Sequence, residues 1–330
     1  MNRATFARSI FAAALGTVLL GMPAFAAPLK MRMAGDSPQG ALDTVLMQTF
    51  ADNLKAKLGA DFEYEFFHSG ALGDENVHMQ QIRTGQIDVY PMGSDAVGLD
   101  KSWSVFDMPF IFKDRAAVAK VVDGEIGERL RTSMRERAGL EVLAFGEIGF
   151  RQITNNVRAV KTPADFKGMK IRVPGSPTRV LMFKTLGASP MNMSFSEVYL
   201  ALQSGTIDGQ ENPLDDIVIR SIHEVQKHIS ISNHVYTPCT LVMNLKKYES
   251  LSDAQKTAVK EAALDAAKKV REMGAAKDAD LVVKLRDSGK ITVSEIDLES
   301  FKQKSEPLYA AVGKIAGEQL AKDVLAAAAQ

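Results

Sequence analysis

The sequence predicts an α/β protein built from two lobes, and three of its features say so. Residues 29–92 alternate strand, helix, strand, helix, strand, the order that builds an α/β sheet. A second run of the same kind restarts after residue 160. Residues 252–288 then read as one nearly continuous helix, rich in Ala, Lys, Asp and Glu. At roughly 1.5 Å per residue it is long enough to run the length of two domains.

In order, LKMRMA (29–34) is a strand and DSPQG a turn. ALDTVLMQTFADNLKAKL (41–58) has helical spacing with Gly59 behind it. DFEYEFF (61–67) alternates like a strand. HSGALGDE is a loop into a helix near 74–84 that Gly85 ends, and IDVYPMG is a strand entering another loop. Residues 114–138 read as helix and LEVLAFG (140–146) as a buried strand. In the second run TPADFKGM holds a short helix, KIRVPG a strand and 177–186 a helix. ASPMNM (188–193) is a short strand, and the helix 195–204 stops at Gly205. Asn212 is a favoured N-cap and Pro213 a favoured first helical residue, so PLDDIVIRSIH is expected to be a helix that Asn212 starts. Residues 229–235 and 239–244 read as two further strands.

Composition bounds the function. The 330 residues are 46% hydrophobic and 24% charged, ample for a core in two domains. Forty basic side chains balance forty acidic ones, so no strong field is offered to nucleic acid or an anionic membrane. The N-terminus reads as a secretory signal peptide: Arg3 and Arg8, an apolar run too short for a comfortable membrane span, then Ala24-Phe25-Ala26. Cleavage is expected near Ala26 or Ala27. Cys239 is the only cysteine, so no internal disulfide or multi-cysteine metal site can form. Export without cross-links suits a bacterial periplasm.

Signals for catalysis are sparse. No G-x-S-x-G, G-x-G-x-x-G or G-x-x-x-x-G-K-[ST] occurs. His223 and His228 in HEVQKH are five residues apart, so they leave a common helix face and do not make a zinc helix. A Cys239–His234 pair is conceivable, but no third group to orient it is evident. The expectation is a protein without enzymatic activity, cofactor or metal.

Binding is better supported. In KIRVPG, Ile171 and Val173 face one way and Arg172 the other, beside a Pro-Gly loop. Arginine is the side chain suited to a planar carboxylate, through two parallel hydrogen bonds. A solvated strand arginine is the competing reading, and the residue pattern alone favours it. Arg151, in GEIGFRQITNN just past a strand end, is a second candidate cation. Asn212 caps a helix on this reading, and a helix N-terminus also binds anions.

KGMKIRVPGSP, LGASPMNMSFSEVYLALQSGTIDGQENP and the Asn233-His234 pair in SNHVY together resemble the substrate-binding proteins of TRAP (tripartite ATP-independent periplasmic) transporters. LGDE, RTGQIDV, FDMPFIF and FRQITNN fall in matching order, so the resemblance covers nearly the whole mature chain. It implies a two-domain periplasmic binding protein with a hinged cleft and a long helix spanning both domains. The expected division is 1–26 signal peptide, 27–149 plus 238–277 for domain I, and 150–237 plus 278–330 for domain II. The resemblance also implies a small organic acid as ligand and TRAP membrane permease subunits as partners; dimers occur among such proteins, but the long helix shows no clear apolar stripe, so a monomer is expected.

By the same resemblance Arg172 is the main carboxylate clamp, with Arg151 and Asn212 completing it. Phe195 packs on the ligand, Glu211 and His234 line the far side, and Glu75 accepts ligand hydroxyls. The loop after the first strand brings Asp36 or Ser37 to the pocket. Where sialic-acid binders carry a further acid, this chain has Gly93 followed by Ser94, so a ligand arm read by that acid is expected to be absent. Together these point to a smaller polyhydroxy acid such as glucuronate or galacturonate. A C4-dicarboxylate is the alternative, and a secreted enzyme or a sensor's binding protein stands further off.

Overall fold

The computed structural model describes residues 28–329; the signal peptide expected at 1–26 lies outside them. Two mixed sheets carry the architecture. The first has five strands in the order 62–67, 29–34, 89–92, 240–244, 140–145. The strands from the first run pair in parallel, and Thr240–Asn244 inserts antiparallel between Val89–Met92 and Leu140–Phe145. The second sheet runs 292–295, 228–231, 149–155, 209–213, 170–173, 189–192, with the short strand Tyr236–Thr237 beside 149–155. The chain thus enters the second sheet through Gly149–Asn155 and returns to the first through Thr240–Asn244, which puts two crossings side by side.

The long helix is Asp253–Asp287, 35 residues and about 50 Å long. Ser252 and Gln255 cap it reciprocally, each side chain accepting from the other's backbone N–H. Its first half lays Ala258, Val259, Ala262, Ala263, Ala266 and Val270 against Leu46, Phe50 and Leu54 of the helix Leu42–Leu58. Small side chains let the two helices come close. Its far end packs Leu285 into a different core, with Val198, Leu202 and Ile217. One helix therefore braces both sheets.

Several expectations change. The helix expected over 114–138 is two, Arg115–Val122 and Glu125–Ala138. The break is at Gly124, where a side chain would collide with the Lys120 carbonyl, so only glycine permits so tight a turn. Residues 229–235 are not one strand: His228–Ile231 ends before Asn233, whose φ of 44° breaks the extended run. Gly149–Asn155, which the sequence leaves without an element, is a fully buried strand. Three elements beyond 288 are unassigned from periodicity: the strand Thr292–Glu295 and the helices Leu298–Ala316 and Glu318–Ala328. Phe301 and Leu308 fill the core around Phe166 and Phe183, while Val312, Leu320 and Val324 join Trp103 and Phe106.

Candidate functional site

Lys170–Val173 pairs in parallel with both Ser189–Asn192 and Gly209–Pro213. Ile171 and Val173 enter the core with Phe166 and Phe183, and Arg172 alternates to the other face. It is no surface arginine: only 2% of it is exposed. Its Nε and Nη2 donate to the Met193 carbonyl at 3.0 and 2.9 Å. Its guanidinium carbon lies 5.1 Å from the centre of the Phe195 ring. Burial, with Arg151 adding to it, lowers Arg172 to about 10, so the side chain stays charged at neutral pH. Among the described residues Nη1 has no hydrogen-bond partner.

Arg151 lies inside the strand Gly149–Asn155, not past a strand end, and the antiparallel register sets Arg151 opposite Pro213, Gln152 opposite Asn212 and Ile153 opposite Glu211. Its Nη2 donates to Asn212 Oδ1 at 2.7 Å and to the Glu211 carbonyl at 2.6 Å, and its Nε donates to Glu211 Oε2. Asn212 in turn donates to Gln210 Oε1 at 2.5 Å. Asn212 is therefore not a helix cap. GQENP is a strand, Pro213 occupies the cap position without a side-chain cap bond, and the helix is only Leu214–Ile219. Pairing with Gly149–Asn155 satisfies this backbone, which is why the local cap signal loses.

Glu211 also accepts from Arg179 Nη1 at 2.8 Å, and His234 Nε2 faces it at 3.1 Å. Burial opposes its ionisation, yet Arg151, Arg179 and His234 hold its carboxyl far below the usual range. Arg179 continues to Asp107, whose other oxygen accepts from the Ser176 and Thr178 hydroxyls at 2.5 Å each. Asp107, Arg179, Glu211 and Arg151 thus form a buried chain of alternating charge. Of this chain of charges Arg151 reaches open space, and Arg172, outside it, stands on the same space.

That space is a cavity of about 80 Å³ between the sheets. The sequence-expected residues Asp36, Glu75, Ser94, Arg151, Arg172 and Phe195 line it, as does Asn212. Glu211 and His234 sit behind Arg151 instead, both fully buried. Glu75, the first residue of the helix Glu75–Thr84, reaches across the cavity. It accepts from Ser194 Oγ and from Phe195 N, each at 3.0 Å. The Phe195 amide is at the start of the helix Phe195–Gln203, where an anion is favoured. Arg220 makes a second crossing, donating to Asp36 at 3.1 Å and to Ser37 at 2.8 Å while its guanidinium carbon lies 4.2 Å from the Phe195 ring centre.

Arg220, Asp43, Tyr90, Asp95 and Asp216 also line the cavity and were not expected. The Gly93-Ser94 site does not leave this side without an acid. Asp95, two residues on, accepts from Gly93 N at 2.9 Å and from the Tyr90 hydroxyl at 3.1 Å. Burial, then the nearby Asp36, pushes both Asp43 and Asp95 up to about 7; burial raises Asp216 to about 6, against the pull of Arg220. A sequence signal existed for two of them. Asp95 follows a strand end, and Asp216 stands four residues past Asn212, although Asp215 and Asp216 read equally well as complements to a helix dipole.

The Cys239–His234 pair does not form: the ring nitrogens of His234 face Glu211 and Ser232 Oγ, the latter at 2.8 Å. Cys239 is buried and burial pushes its thiol up, which opposes nucleophilic use. His223 lies in a short 3₁₀ turn and His228 on a strand. Among the described residues no cluster of three or more His, Cys, Asp or Glu is placed to hold a metal, and no helix is long and apolar enough to cross a membrane.

Residues 37–315 match the family model described as bacterial extracellular solute-binding protein, family 7. The 2,3-diketo-L-gulonate-binding periplasmic protein of Escherichia coli K12 is 32% identical over 311 residues, 93% of this chain and 92% of that one. A TRAP periplasmic solute-binding protein from Roseobacter denitrificans, solved with β-D-glucuronate bound, superimposes with a TM-score of 0.86 at 32% identity, covering 90% of this chain and 99% of that one. Another, from Sulfurospirillum deleyianum with succinate bound, gives a TM-score of 0.85 at 27% identity over 92% of this chain and all of the other (100%).

Proposed function

The chain belongs to bacterial extracellular solute-binding protein family 7, the TRAP solute-binding proteins, and from that premise we propose that it captures a sugar acid such as glucuronate or galacturonate. The observation that carries this reading is Arg172. A buried, charged guanidinium whose Nε and Nη2 are tied to Met193 keeps its Nη1–Nη2 edge for a planar carboxylate. Arg151 adds charge beside it, held in place by Glu211 and Asn212. Phe195 gives the ligand an apolar wall, and Glu75, Asp36 and Ser94 offer acceptors to its hydroxyls. The glucuronate held by the Roseobacter protein agrees with such a ligand.

A C4-dicarboxylate is the second reading. Arg220, a further cation on the cavity, and the succinate in the Sulfurospirillum protein favour it. Arg220 is already engaged by Asp36, however, and Asp43, Asp95 and Asp216 stand beside the space a second carboxylate would enter.

On this account the chain is exported to the periplasm by its N-terminal signal, acts as a monomer, and binds without turnover before passing the acid to TRAP membrane permease subunits. Domain I is 27–149 plus 238–277 and domain II is 150–237 plus 278–330, closing on the cavity between them. The test is a thermal-shift screen of residues 27–330, unfolded and refolded to strip ligand. Uronates, aldonates, sialic acid, C4-dicarboxylates, 2-oxoacids and aromatic acids form the panel. A ligand at a thousandfold excess over Kd stabilises by about 4 kcal/mol. A large shift with uronates is expected. A shift with succinate, malate or fumarate alone overturns the sugar-acid reading, and no shift with any acid overturns the binding reading.

A further inference from the structure

The cavity holds more carboxylates than a clamp for one anion needs. Five acids and three arginines line it. Among the acids, Asp36 accepts from Arg220, and Glu75 accepts from Ser194 and Phe195 with Arg172 Nη2 3.9 Å away. Asp43 accepts from Ser37 Oγ at 2.5 Å and from Thr44 N at 2.8 Å, and Asp95 accepts from Gly93 N and the Tyr90 hydroxyl. Asp216 differs from all four. Its side chain is 13% exposed, and among the described residues it accepts no hydrogen bond. Its nearest cation, Arg220 Nε, is 3.9 Å away, beyond hydrogen-bond range. This largely buried carboxylate has no donor from the protein and is left to solvent alone, so a ligand hydroxyl that donates to it supplies a hydrogen bond the free protein does not provide.

We propose that Asp216 is a specificity-determining residue: it accepts a hydroxyl of the bound acid and its charge turns away a second carboxylate, so that the ligand class is the hydroxylated monocarboxylate. The inference rests on the sugar-acid reading and adds the residue that enforces it. Asp216 lies in the first turn of the helix that follows the Asn212 strand directly, so it belongs to the same rigid unit as the carboxylate-binding end. A second ligand carboxylate brought beside Asp216 would meet its charge, with Arg220 already shared among Asp36 and its neighbours. Selection by repulsion adds to selection by attraction.

The experiment is calorimetric titration of the refolded mature chain and its Asp216→Asn variant. The ligands are glucuronate, galacturonate, a monocarboxylate of similar length without hydroxyls, and succinate. Asp216→Asn is expected to weaken uronate binding about tenfold or more and to leave the non-hydroxylated acid within twofold. Succinate binding should strengthen. Uronate affinity within twofold of the parent overturns the proposal. Should the variant melt early without ligand, a crystal structure of the parent with uronate decides: a ligand hydroxyl within 3.2 Å of Asp216 is expected, and no ligand hydroxyl there overturns it. If the parent binds no hydroxylated acid, the sugar-acid reading has failed and this inference with it. If the parent binds uronate but Asp216 is indifferent, only this inference has failed.

Discussion

Arg172→Ala tests the clamp, and its effect can be sized from the geometry. Nε and Nη2 of Arg172 serve the Met193 carbonyl, which leaves the Nη1–Nη2 edge for a ligand carboxylate. Two charge-assisted hydrogen bonds at about 1.5–3 kcal/mol each make about 3–6 kcal/mol, a Kd weaker by about 10²- to 10⁴-fold. Arg172→Lys should recover part of this, since a point charge attracts the carboxylate but cannot pair with both its oxygens. The lysine also leaves the Met193 carbonyl less well served, so melting curves without ligand must accompany both variants. Calorimetric titration with the best uronate gives the number. A loss below tenfold in a well-folded Arg172→Ala protein would refute the reasoning, because an anion clamped elsewhere would not notice the change.

Other outcomes follow from the same contacts. Glu211→Gln leaves Arg151 and Arg179 facing each other with too little negative charge; a broken buried pair costs about 3–5 kcal/mol, or about 5–8 °C in melting temperature by calorimetry for a chain of this size. Gly274→Ala puts a methyl into the Glu147 carboxylate, which Arg115 holds at 2.6 Å, so urea unfolding should show a loss of about 1–3 kcal/mol. Asp95 has its folded value raised to about 7 from an ordinary 3.8, so the folded chain keeps a proton that the unfolded chain releases, and stability falls as pH rises from about 4 to about 7. Asp95→Asn removes that dependence. The melting temperature of the variant minus that of the parent should therefore climb across this window, and a flat difference would contradict it.

The sequence was most legible where local signals and tertiary demands agree. The long helix reads directly because Ser252 and Gln255 cap it and its alanines repeat with helical spacing. The first three strands and their helices read for the same reason. Legibility failed where pairing overrode a local cue. Asn212-Pro213 carries a helix-start signal, yet the partner strand Gly149–Asn155 takes both residues into a sheet. That partner was itself hidden, because a fully buried strand containing Arg151, Gln152 and Asn155 shows no alternation of polar and apolar residues. Arg172 illustrates the limit at the site. Its face was readable from Ile171 and Val173, but whether that face met water or a cavity depends on elements far away in sequence. Asp43, Asp216 and Arg220 converge only after folding, and each has a bland local explanation.

The most direct test of the account is calorimetric titration of ligand-stripped residues 27–330 with galacturonate, glucuronate and succinate under one buffer. Saturable binding of a uronate, with succinate bound far more weakly or not at all, is the predicted result. Tight binding of succinate with no response to either uronate would contradict it.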